Sequence, residues 1–164
     1  MVPQALADEL RNRIDQADHP RELAVEVMYA LQKHYGYLSD EAVQEAASFL
    51  RLTPLEVEEL ATFYDYFYRK PVGRYVIHVC DGTVCWVQGH SSILEDLCRK
   101  LGVNPGETTP NGLFTLLPVC CIGYCDYAPA MLVNGKPHGP LTPQKIDEIL
   151  AELKENSPLP PEDR

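Results

Sequence analysis

The sequence predicts an α/β protein in two parts, a helical subdomain over 1–70 and a domain of mixed strands and helices over 71–156. Three observations carry this. Apolar residues recur at helical spacing up to about Arg69 and alternate after it. All six cysteines fall in the second part. Between the two, Pro71, Val72, Gly73 and Arg74 read as a joint.

The helical part contains three well-signalled elements. RELAVEVMYALQKHY sets Leu23, Val27, Ala30 and Leu31 on one face, with His34 near its end and Gly36 as the stop. SDEAVQEAASFL has Ser39 as N-cap and Asp40 and Glu41 in the first turn, where the helix dipole favours carboxylates. TPLEVEELATFYDYF opens on Thr53, with Pro54 at the first helical position and Glu56 completing a capping box.

In the second part, RYVIHVC alternates and is rich in β-branched and aromatic residues, which predicts a strand ending at Cys80. SSILEDLCRKLG predicts a helix capped by Ser91 or Ser92 and stopped by Gly102. NPGETTPNG is a turn-rich loop, and LFTLLPVC suits a buried strand. AMLVNGKPHGPL carries the hairpin signal Asn134-Gly135. Thr142 and Pro143 then open a last helix whose apolar face is Ile146, Ile149, Leu150 and Leu153. Residues 157–164 are expected to be a disordered tail. A strand–helix–strand unit implies a parallel pair with a right-handed crossover. With the hairpin and last helix added, the pattern is that of a thioredoxin-like α/β sandwich.

The chain has 164 residues, 45% of them hydrophobic, enough for a compact core. Its net charge of −10 disfavours nucleic-acid binding, which wants a basic face over the phosphates. MVPQALADELRNR lacks the apolar core of a signal peptide, and no segment approaches the roughly 20 apolar residues of a spanning helix. A cytoplasmic protein without direct membrane insertion is expected. In that reducing compartment six cysteines point to metal binding or redox chemistry, not to disulfides.

Cys80 and Cys85 form a C-x4-C pair at the end of one predicted strand. Cys121 and Cys125 form a C-x3-C pair after another. If those strands are parallel neighbours, both loops emerge at one end of the sheet and four thiols converge. Such a set suits an iron–sulfur cluster or zinc. Gly82 and Gly123 favour the cluster, because they let backbone N–H groups curl close to sulfur, and neither pair has the C-x2-C spacing of a zinc knuckle. Zinc and buried structural thiols remain the alternatives. A thioredoxin-type C-x-x-C is absent.

Adjacent residues at a strand end face opposite ways, so only one of Cys120 and Cys121 can join the set, and the other is expected to be a small buried hydrophobe. Cys98, in a predicted helix, is expected to be packed. His78 reads as a core or sheet-face histidine, and His90 and His138 as loop residues without ligand partners. Asp81 and Asp126 read as turn caps or solvated groups. The aromatic run Phe63, Tyr64, Tyr66, Phe67 and Tyr68 is too dense for one helix face, so part is core and part interface.

ATFY, CDGTVC, the PNG-LF loop, CIGYC followed by Ala128-Pro129, and LTP, taken in this order, make the chain resemble the thioredoxin-like [2Fe-2S] subunit of NADH:quinone oxidoreductase, respiratory complex I. The resemblance spans nearly the whole chain. It implies that Cys80, Cys85, Cys121 and Cys125 are the ligands, two per iron, with Cys120 the spare thiol. It further implies an electron-transfer subunit of an NADH dehydrogenase with no substrate chemistry of its own. FMN and NADH would sit on a partner flavoprotein subunit, and a further iron–sulfur subunit would complete the neighbourhood. The cluster would exchange single electrons with the flavin from a position off the main chain of clusters, storing electrons or controlling the flavin's redox state. Such a subunit would be peripheral to the inner membrane through its complex.

The same module is expected in NAD(P)-linked or bifurcating hydrogenases and NAD-dependent formate dehydrogenases. A stand-alone ferredoxin and a zinc adaptor are further alternatives. Glu59, where many relatives carry glycine, and Trp86, a bulky residue directly after a ligand, are the departures from the pattern.

Overall fold

The computed structural model describes residues 2–157. The chain divides into two compact units between Val72 and Gly73, inside the Pro71–Arg74 segment.

The first unit is all helical. It runs α1 (Gln4–Gln16), a 3₁₀ turn at Pro20–Leu23, α2 (Ala24–Tyr35), α3 (Asp40–Leu50) and α4 (Pro54–Phe63). Gly36 ends α2 at φ 84°, the left-handed conformation that glycine adopts without strain. The Ser39 hydroxyl accepts the Ala42 N–H, and the Thr53–Glu56 capping box is complete. Val27, Met28, Leu31, Ala46, Leu50 and Val57 form the fully buried centre.

Two features depart from the sequence pattern. RELA does not start the helix as regular α: Pro20 opens a 3₁₀ turn, and His19 Nδ1 accepts the Arg21 N–H. α4 stops at Phe63 instead of running through Phe67. Tyr64 turns extended, and the buried Gln32 side chain takes over the backbone beyond it. Gln32 Nε2 donates to Tyr66 O at 2.7 Å, and Tyr68 N donates to Gln32 Oε1 at 2.7 Å. A satisfied buried amide offers those backbone groups what further helix would have offered. α1 is an addition, since its buried face is only Ala7, Leu10 and Ile14 and gives a thin periodic signal.

The second unit contains β1 (Tyr75–Cys80), α5 (Thr83–Val87), α6 (His90–Leu101), β2 (Phe114–Val119), a 3₁₀ turn at Cys125–Tyr127, β3 (Met131–Val133), β4 (Lys136–His138) and α7 (Pro143–Glu155). The sheet order is β2-β1-β3-β4, with β1 parallel to β2 and the other pairs antiparallel. This is the expected strand, helix, strand, hairpin, helix order with the short helix α5 added after β1. Ile77, Val79, Leu116, Met131 and Val133 line one sheet face and pack on Ile93 and Leu97 of α6 and Ile146, Ile149 and Leu150 of α7. Lys100 of α6 ties to α7 through Pro143 O at 3.2 Å and through the Asp147 carboxylate.

The hairpin turns at Asn134 (φ 47°) and Gly135 (φ 83°), the pair of left-handed residues a two-residue turn needs. The Asn134 side chain also accepts Val76 N–H at 2.8 Å and donates to Arg74 O at 3.0 Å, which fixes the hairpin against the start of β1. α6 starts at His90, one residue before the expected caps, because Gly89 (φ 99°) breaks the chain direction there. Ser157 is buried and donates to the Tyr75 hydroxyl at 3.1 Å. Residues 158–164 of the expected tail lie outside the described residues.

Candidate metal centre

The parallel register aligns Cys80 with Val119, so the chain leaves both strands at the same end of the sheet. Cys80 is the last residue of β1, and its N–H donates to Ala130 O at 3.1 Å. Asp81 N–H donates to Val119 O at 2.8 Å, carrying the ladder one residue further. The chain then turns into α5, a helix too short for any periodic signal, and brings Cys85 back into the interior. Cys121 lies two residues beyond β2, and Cys125 opens the 3₁₀ turn.

The four thiols meet. Cys121 Sγ lies 3.5 Å from Cys125 Sγ. Cys80 hydrogen-bonds both Cys85 and Cys121, and Cys125 lies near Cys85. Gly82 allows the close approach: a Cβ there would stand 3.0 Å from Cys121 Cβ and 3.4 Å from Cys80 Sγ. Among the described residues, no group of three or more His, Cys, Asp or Glu side chains surrounds one point tightly enough to hold a single metal ion. The thiols instead form two adjoining pairs.

The pairs sit in different surroundings. Cys80 and Cys85 are 2% and 1% exposed, against Ala130 and a border of Ile122, Tyr124 and Ala128. Cys121 is exposed and Cys125 half-buried. Burial, then the hydrogen bond with Cys80, pushes the Cys85 thiol up to about 11, because a dry site disfavours the thiolate. The Gly123 N–H, 3.5 Å from Cys121 Sγ, draws that thiol below its ordinary value, with Cys125 adding to the effect. Gly123 holds this pose at φ 75°. Cys125 is raised by its contact with Cys121, by burial and by nearby negative charge including Asp126. Four thiols from two loops, one pair dry and one thiol of each pair met by a backbone N–H, are a donor set that fits a thiolate-ligated iron–sulfur cluster.

The remaining candidates fall outside this set or at its rim. Cys120 is exposed, against the expectation of a buried thiol, because β2 ends at Val119 and strand alternation no longer governs the next residue. Cys98 packs partly into the α6–α7 core, and burial raises it. His78 is buried in β1. His90 is buried in the first turn of α6, and His138 ends β4, so neither is the loop residue expected. Asp81 and Asp126 are exposed. Trp86 is 64% exposed beside exposed Val84 and Val87, and Tyr124 stacks on Tyr127 with centroids 4.7 Å apart. Sequence reasoning missed Ala130 as the wall of the dry pair. The small residues of APA were the available signal, since only a small side chain leaves room there.

No described helix is long and apolar enough to cross a membrane. The chain is similar to the E subunit of the NADH-quinone oxidoreductase of Escherichia coli (strain K12), 41% identical over 147 residues, covering 90% of this chain and 89% of that protein. The corresponding protein of Pseudomonas aeruginosa is 38% identical over 149 residues, covering 88% and 90%. Among solved structures, an NAD+-reducing [NiFe]-hydrogenase in the air-oxidized state matches with a TM-score of 0.67 and 28% identity over 84% of this chain. This chain spans 24% of that hydrogenase chain. The family model described as thioredoxin-like [2Fe-2S] ferredoxin matches residues 10–154, and the chain belongs to that family.

Proposed function

We propose that this chain is an electron-transfer subunit of an NADH-oxidising complex of the NADH-quinone oxidoreductase type, with Cys80, Cys85, Cys121 and Cys125 holding one [2Fe-2S] cluster. The observation that carries this is the meeting of four thiols at one end of the sheet in a member of a [2Fe-2S] family. When bound, the cluster supplies reversible uptake of a single electron.

The chain's own residues do the rest. Cys80 and Cys85 bring two thiolates from a dry wall, so water is kept from that side. Cys121 and Cys125 bring two from an open edge, where the Gly123 N–H faces sulfur. Four thiolates without histidine concentrate negative charge and hold the potential low. Val84, Trp86 and Val87 on the helix that carries Cys85, and Tyr127 two residues after Cys125, are exposed apolar side chains on which a flavoprotein can seat and exclude solvent. FMN and NADH belong to that flavoprotein partner, and a further iron–sulfur subunit adjoins the pair. The chain would work in the cytoplasm, peripheral to the inner membrane through the complex, and performs no substrate chemistry alone.

The test is anaerobic mixing of the cluster-loaded chain with its flavoprotein partner and NADH. Bleaching of the cluster absorbance and an S = 1/2 EPR signal, both dependent on the flavoprotein, are expected. A cluster reducible by dithionite and untouched by NADH with the flavoprotein present would overturn the reading. The similarity to the NAD+-reducing hydrogenase supports a second one, in which the same role is played beside a hydrogenase. Neighbouring genes for quinone-site and proton-pumping subunits, against hydrogenase subunits, separate the two.

A further inference from the structure

Outside the cysteine site, the most exposed apolar residues of the first unit lie along α4. Leu55 is 68% exposed and Phe63 76% exposed, at positions i and i+8 of one helix. Glu59, at i+4, falls between them on the same face and is exposed. Its acidic neighbours are engaged: Glu58 pairs with Arg69, and Glu56 with Thr53 and Arg21. Among the described residues the Glu59 carboxylate has no such partner. Thr62, also on this face, turns its hydroxyl back to Glu58 O at 2.9 Å and leaves no donor for solvent.

Phe63 is not a loose side chain. Its ring meets Tyr64 edge-on at 4.9 Å, Tyr64 stacks on Tyr66 at 5.1 Å and meets the buried Phe67 at 6.1 Å. Below this ladder the Gln32 amide pins the backbone of Tyr66 and Tyr68, and Arg69 binds Glu58, Asp40 and Leu38 O. The aromatic edge is therefore held in place before any partner arrives, which lowers the ordering cost of binding.

We propose that the Leu55–Glu59–Phe63 stripe of α4 is a docking surface for a partner subunit that presents a basic side chain between two apolar pockets. Charge selects this occupant. A second copy of the chain would set Glu59 against Glu59 in a net −10 molecule, and an anionic lipid surface would repel it in the same way. A cationic group flanked by apolar surface satisfies both the carboxylate and the two hydrophobes. The proposal rests on the chain being one subunit of a complex, and it adds where and by what chemistry the first unit is held.

The test uses the assembled complex, purified from the native host through a tag on the flavoprotein partner, with wild type, Leu55→Ser, Glu59→Lys and Glu59→Gln compared. Glu59→Lys and Leu55→Ser should each lower retention of the chain about tenfold during a dilution series, the size of a lost anchor. Glu59→Gln should weaken it less and remove its dependence on salt. The isolated variants should keep the wild-type melting temperature and reduced-cluster EPR signal. Leu55→Ser and Glu59→Lys retained at wild-type stoichiometry would overturn the proposal, as would a wild-type chain that dimerises in sedimentation and loses dimerisation in Leu55→Ser. Failure of the broader functional reading looks different: the wild-type chain itself would not travel with the complex.

Discussion

The two cysteine pairs teach different lessons about the same chemistry. Cys80 and Cys85 sit in the interior, set by a strand end and a five-residue helix, with Ala130 at their backs. Cys121 sits on an irregular loop, exposed and met by the Gly123 N–H, and Cys125 opens a single 3₁₀ turn, half-buried. Each pair has one thiol met by a backbone N–H, Cys85 by Ala130 and Cys121 by Gly123, and what separates the pairs is burial. The buried pair has a dry wall and, at Cys85, a raised thiol, while Cys121 is left accessible.

Substitutions can break this contrast. Cys80→Ala or Cys85→Ala should have the largest effect, complete loss of the visible iron–sulfur absorbance, because no other thiol can reach into that wall. The check is absorbance and iron content after anaerobic reconstitution, with circular dichroism confirming the fold. Cys121→Ser should be milder. Its oxygen lies at an open edge where a serine can approach iron, so a cluster with a shifted spectrum and reduced stability should form. Equal loss in all these variants would erase the difference between the pairs.

Gly123→Ala sharpens it. The position is at φ 75°, which costs a residue with a Cβ about 1–2 kcal/mol. The expected result is faster loss of iron to a chelator with an unchanged melting curve of the helical unit. Thiol alkylation of the cluster-free chain at pH 7 gives a graded readout. With its pKa raised to about 11, Cys85 carries thiolate on the order of one part in ten thousand, whereas the lowered Cys121 carries more than an ordinary thiol. Peptide mass spectrometry should find Cys121 labelled early and Cys85 last, with Cys85 rising as pH approaches 11. The smallest effect belongs to Cys120→Ser, which should leave iron content and EPR unchanged.

Much of this was legible in the residues, for physical reasons that differ by element. Ser39, Thr53, Glu56, Thr142 and Pro143 announce helix starts because capping is local, and each sits where expected. The parallel pairing of β1 with β2 follows from the strand–helix–strand order, and with it the convergence of the two cysteine loops. What was hidden depended on distant partners. The end of α4 is set by Gln32, more than thirty positions earlier in the chain. The exposure of Cys120 depends on where β2 ends, and strand boundaries are weakly encoded. The burial of His90 depends on Gly89 starting α6 early.

Anaerobic purification of the whole chain, with iron, sulfide and zinc determined on one sample and an EPR spectrum taken after dithionite, tests the four-cysteine cluster most directly. About two irons and two sulfides per chain with a rhombic S = 1/2 signal are predicted. About one zinc per chain and no signal, persisting after attempted reconstitution, would contradict it and leave four thiols with a structural role.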